Sequence, residues 1–179
     1  MSAFPAHPAW DFVVGLYGQP EVAPACLELQ ERHGIDVTMM LFCLWRGSID
    51  GQPLGARMAP LAQAARTWHM SAVLPMRAAR RWLKEDAKRL DDRAGTSLYK
   101  TVLSAEIDCE HGELLMLARL AELQCDTPDA GSPQAMAENL ATFFKETGTS
   151  LAEGDRAAIT AILYGAGAAE EIRRVLPVA

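Results

Sequence analysis

Strand-like patterning is the first thing this 179-residue sequence lacks. Apolar and polar residues seldom alternate at period two, and β-branched residues never accumulate, which argues against a sheet. Long apolar runs are also missing. The most apolar stretch, Val37 to Trp45, is less than half the roughly 20 residues a membrane span needs, so it reads as part of a soluble core. Positive charge is in deficit: 17 basic against 23 acidic residues give a net charge of -6. Non-specific attraction to nucleic acid or anionic lipid is therefore disfavoured.

The cysteines form no C-x-x-C pair. Cys26, Cys43, Cys109 and Cys125 are widely spaced, and each sits among apolar neighbours. A zinc site needs a tighter cluster, so small core residues with free thiols are expected. Met1 to Pro8 hold no basic cluster and no apolar core of a secretory signal. The last residues, Leu176 to Ala179, match no lipidation signal. A cytoplasmic, reducing setting is expected. Catalytic signatures are absent as well: no phosphate-binding G-x-x-x-x-G-K-[ST], no G-x-S-x-G elbow and no H-E-x-x-H. Cys109 and His111 stand two apart, so on a helix they diverge and cannot act as nucleophile and base. These absences favour a non-enzymatic protein without a cofactor.

What the sequence has is helix. Alanine, leucine, glutamate, arginine and methionine dominate, and all favour helix. Apolar residues recur at spacings of three and four. The expected fold is all-α: a single compact bundle of roughly seven to nine helices around a central apolar helix, 37–47. The chain reads as one domain, 1–179, with a possible helical subdomain 133–179 after a loop at 125–133. A shared core is favoured because so short a segment would bury too little alone.

Trp10, Val13, Val14 and Tyr17 mark a first helix, ended near Gly18. Val22, Cys26, Leu29 and His33 mark a second, with Gly34 suited to a left-handed C-cap and Asp36 to the next N-cap. Gly47 to Pro53 reads as loop. Helices are expected at about 57–69 and 72–92, the second broken by Gly95. Another is expected at about 97–124, interrupted at Gly112. Ser132-Pro133 opens a helix of about 133–147, Ser150-x-x-Glu153 suggests a capping box, and a terminal helix spans about 168–176.

Certain residues also carry a resemblance. Trp10-x-Phe12, Leu16-Tyr17, Cys26-Leu27-x-Leu29-Gln30, Gly34-x-Asp36-Val37 and Leu41-Phe42-x-Leu44-Trp45 follow one another in the first 45 residues. Trp68, Arg80-Arg81, Leu98-Tyr99-Lys100, Glu106 and Glu110 come later. This pattern resembles a bacterial family of small helical proteins known only as a domain of unknown function. The chain departs from it at His111, where the family carries arginine soon after the second glutamate. The resemblance implies a cytoplasmic helical protein and no particular activity.

Four groups of residues are candidates for function. Arg77, Arg81, Lys84 and Lys88 form a stripe on one helix with Arg80 beside it, and Trp68 and Trp82 lie near. Such a stripe can bind a protein partner, a second copy included. It can also face Glu106, Glu110 and Glu113 if the two helices pack antiparallel. A second group, Glu106, Glu110 and His111, offers carboxylates and an imidazole to a metal within a broader acidic run that includes Asp108 and Glu113. A third is polar: Gln30, His33 and Asp36 beside the most apolar helix, for which capping is a sufficient role. The last is an apolar pocket for a small ligand at Met39, Met40 and Trp45. The leading expectation is a regulatory or interaction protein using the basic stripe, ahead of a metal-binding enzyme or sensor and a small-ligand carrier.

Overall fold

A computed structural model describes residues 5–86, 92–122 and 131–176. Among them the fold is all-α, and no strand occurs. The helices are α1 (Pro8–Tyr17), α2 (Val22–His33), α3 (Val37–Asp50), α4 (Met58–Trp68), α5 (Leu74–Asp86), α6 (Asp92–Glu122), α7 (Pro133–Glu146), α8 (Arg156–Gly165) and α9 (Ile172–Val175).

The centre is α3. Met39 to Trp45 are all buried, which a helix apolar on every side requires. It packs against α7 most extensively and also meets α1 and α6, while α2 packs on α8. Buried residues of α7 and α8, such as Leu140, Phe143, Ile159 and Ile162, belong to the same apolar cluster as α3. Asn139 is fully buried in this cluster and ties two backbones: Leu54 N–H donates to its Oδ1 (2.6 Å), and its Nδ2 donates to the Cys43 carbonyl (3.2 Å).

Helix ends follow local chemistry where one residue suffices. Gly34 is left-handed (φ 67°) at the end of α2, a conformation only glycine adopts freely. Asp36 caps α3 by accepting from Met39 N–H. Ser132 caps α7 by accepting from Ala135 N–H, with Pro133 in the first turn.

Several boundaries differ from expectation, each for a tertiary reason. Gly47 lies inside α3, which continues to Asp50. A Cβ there would come within 2.3 Å of Met136 N, so glycine is what lets α3 and α7 cross backbone to backbone. Ser132 N–H donates to the Gly47 carbonyl at the crossing (2.9 Å). Gly95 and Gly112 lie within α6 and are buried; helix packing overrides their low propensity. At 150–155, Asp155 rather than Glu153 reaches back: Ala152 N–H donates to its Oδ2 (2.8 Å). The terminal helix is reduced to a 3-10 turn (Ala169–Glu171) and the short α9.

The two helices expected at 57–69 and 72–92 are joined without a loop. His69–Val73 forms one π turn between α4 and α5, in which Leu74 N–H donates to the carbonyl of His69, five residues back. A π turn holds one residue more than an α turn, and such turns recur at functional sites. Cys26 and Cys43 are buried free thiols and Cys109 is a partly buried one, while Cys125 and most of the expected 125–133 loop lie outside the described residues.

Candidate functional site

The acidic face of α6 divides between two sets of partners. Glu106 and Glu110 turn to α5. Arg77 Nε donates to Glu106 Oε1 (2.9 Å), its Nη2 to Glu110 Oε1 (2.7 Å) and its Nη1 to Gln30 Oε1 (2.6 Å). Arg80 donates to both oxygens of Glu106. Burial alone would raise the Glu106 carboxyl, but the two arginines together hold it below its ordinary value. For Glu110 burial prevails over Arg77, and the carboxyl is raised.

Glu113, three residues further along α6, turns to a different group. It is fully buried and meets Asp36, at the start of α3, and His69, the first residue of the π turn. One ligand atom from each of the three lies within 4.8 Å of the others. His69 Nδ1 is 3.5 Å from Asp36 Oδ2 and 3.8 Å from Glu113 Oε2, too far for good hydrogen bonds. Asp36 Oδ2, His69 Nδ1 and both carboxylate oxygens of Glu113 are buried with no well-formed hydrogen bond, and the Asp36 and Glu113 carboxyls lie against each other. Asp36 thus has two duties: one oxygen caps α3 while the other faces the cluster. Burial raises both carboxyls: Asp36 well above its ordinary value, reinforced by Glu113 and opposed in part by His69 and the Met39 N–H, and Glu113 to about 7, where the contact with Asp36 pulls the other way.

Buried polar atoms normally find partners, and leaving them unpaired costs about 1–3 kcal/mol each. Two carboxylates and an imidazole sharing one dry spot are what a divalent cation gathers. A cation about 2.1 Å from each donor at tetrahedral angles sets those donors roughly 3.4 Å apart, close to the 3.5 and 3.8 Å seen. Imidazole with carboxylate suits zinc, manganese or ferrous iron. Three protein donors also leave a coordination position open.

Asp36 and His69 also border open space, which Glu113 does not line. A cavity of about 580 Å³ is lined by Asp36 and His69, by Met39, Ala62, Met70 and Phe143, and by Arg66. A second cavity of about 610 Å³ shares His69, Ile35 and Leu74 and runs past Arg77, Arg81 and Lys84. His69 therefore stands between the two.

The sequence-predicted residues distribute as follows. Arg77 and Arg80 are engaged with α6, whereas Arg81, Lys84 and Trp82 are exposed on α5, Trp82 at 62%. Lys88 lies outside the described residues. Trp68 donates from Nε1 to the Cys109 carbonyl (2.9 Å). His111 is not brought to Glu106 and Glu110; it stacks on Trp10, ring centroids 4.1 Å apart. Gln30, His33 and Asp36 separate to three partners: Arg77, Asp155 and the cluster with His69 and Glu113. Met39 lines the first cavity, while Met40 and Trp45 are core residues.

His69 is the residue that sequence reasoning missed. Only the structure singles it out: Leu61, Ala65, His69 and Val73 are buried at three successive steps of four, among other apolar residues that are not. In an unbroken α-helix that spacing drifts round the axis by about 120°, so it announces an extra residue in the turn.

No curated protein and no solved structure matches the chain. A family model does match, over residues 8–117, a span holding Asp36, His69 and Glu113. By that match the chain belongs to the family described as Protein of unknown function (DUF2390).

Proposed function

We propose that this protein binds a divalent cation of the zinc or manganese class through Asp36, His69 and Glu113 and presents it to a small molecule in the adjoining cavity. The observation that carries the reading is the convergence of buried donor atoms from three separate helical segments, with no cationic side chain other than His69 among them. A bound cation supplies Lewis acidity at its open position. Burial of both carboxylates favours neutralising them with a cation over leaving them bare. A cytoplasmic location fits the free, buried thiols.

Elemental analysis of chelator-free protein and zinc titration calorimetry test this. One cation per chain is expected. Asp36→Asn keeps a residue able to cap α3 but removes the charge, and Glu113→Gln removes the charge within α6 at nearly the same size. Each should weaken zinc binding by more than the 10–100-fold typical of outer-shell changes. Glu106→Gln and His111→Ala should leave it intact. Wild-type protein without metal and without a binding isotherm refutes the reading.

A second reading rests on Trp82, exposed between Arg81 and Lys84, which are also exposed. Exposed tryptophan beside cations marks a protein-binding surface, and the partner would be an acidic protein or a second copy of the chain. The triple change Arg81→Glu, Trp82→Ala, Lys84→Glu should abolish partner capture and any self-association while leaving helical circular dichroism unchanged. Association that survives these changes removes this surface from consideration.

A further inference from the structure

We infer that the ligand of the 580 Å³ cavity is a small amphiphilic anion: an oxygen-bearing head that completes the coordination of the cation, and an unbranched apolar tail along the cavity wall. The inference rests on the cation reading above and adds the chemistry of what the cation meets.

Charge sets the head. Two carboxylates against one divalent cation leave the centre neutral, so an anionic oxygen at the open position meets no net repulsion. Arg66 lines the same cavity with no acidic partner of its own among the described ion pairs, and its charge offsets that of the exposed Glu146 on the same lining.

The walls set the tail. Met39, Ala62 and Phe143 form apolar lining. Met70 and Leu74, on and after the π turn, also line it and remain 57% and 43% exposed. Gln63, Thr147 and Thr149 line the cavity too, so the apolar residues offer room for a flexible chain beside a polar head at Asp36 and His69. The π turn supplies a residue of each kind, since His69 and the neighbouring Met70 both line the cavity. The volume falls in the range of small-molecule sites, about 300–1,000 Å³.

Hydroxamates of two lengths test this on the full, zinc-loaded chain. Acetohydroxamate offers the head alone; octanohydroxamate adds six methylenes. Each methylene buried strengthens binding about fourfold, and ordering of the chain takes back part of it. Calorimetry should show octanohydroxamate binding on the order of a hundredfold more tightly. Ala62→Trp, which fills the cavity, should erase that difference while acetohydroxamate and zinc binding persist. Met70→Ser, at an exposed position that does not challenge folding, should reduce the difference several-fold. Equal affinities for the two probes, in protein that does bind zinc, overturn this inference alone. Failure to bind zinc overturns it together with the reading on which it rests. A length preference unchanged in both variants also overturns it, because the tail then lies elsewhere.

Discussion

Replacing Arg77 by methionine separates a structural arginine from a docking arginine. The side chain is 11% exposed and donates to Glu106 at 6%, to Glu110 at 26%, and to Gln30. Breaking a buried ion pair by removing one member typically costs about 3–5 kcal/mol, because the other charge is left behind. Arg80 still covers both oxygens of Glu106 in the variant. The loss therefore falls on Glu110 and Gln30, and the cost is expected at about 2–3 kcal/mol. For a chain of this length that lowers Tm by roughly 5–10 °C. The cost also depends on pH. Burial raises the Glu110 carboxyl above 4.5 and Arg77 opposes it, so this part of the cost is present above the folded value of Glu110 and fades as pH falls through it. Urea denaturation followed by circular dichroism at pH 7 and pH 3 measures both quantities. A variant within about 0.5 kcal/mol of wild type at pH 7 refutes the argument and returns Arg77 to the surface. A penalty as large at pH 3 as at pH 7 refutes its electrostatic part.

Three further outcomes are expected. Asn139→Ala leaves Leu54 N–H unpaired in the core, removes a second bond to the Cys43 carbonyl and opens a small void, and should cost about 2–3 kcal/mol in urea unfolding; a cost under about 1 kcal/mol would show that water replaces the amide. Gly47→Ala forces a Cβ within 2.3 Å of Met136 N and should cost about 3 kcal/mol by opening the α3–α7 crossing, read as a lowered urea midpoint. Zinc at a hundred times its dissociation constant should stabilise the wild type by about 2.7 kcal/mol, roughly 5–10 °C in Tm, with no such gain in Glu113→Gln or after chelation.

The fold was legible where one residue decides an outcome. Gly34 ends a helix by its own backbone freedom, Asp36 and Ser132 begin helices with their own side chains, and the apolar surface of α3 leaves burial as its only stable place. Legibility failed where the decision is shared. Gly47 reads as a loop residue until α7 is seen lying on it. Gly112 reads as a break until it is found buried. The candidate site was half legible for the same reason. Glu113 is recognisable as one acid among several, but only packing sends it to His69 while Glu106 and Glu110 meet arginines. Asp36 was recognisable as a cap, a role that uses one of its two oxygens and says nothing of the other.

The π turn at His69–Val73 has a consequence for length variation in this chain. It stores one surplus residue inside a rod that otherwise runs from α4 into α5. Removing a single exposed position there, Ser71, would let the segment relax to ordinary α-helix. The residues after it would keep their bearing, since the bulge had already absorbed the rotation of about 100° that one residue brings. Arg77 and Arg80 would still meet α6, and the scaffold would survive, but His69 would lose the widened turn that sets it beside Asp36 and Glu113. The surplus residue therefore belongs to the site and not to the scaffold, and a one-residue deletion can separate the two.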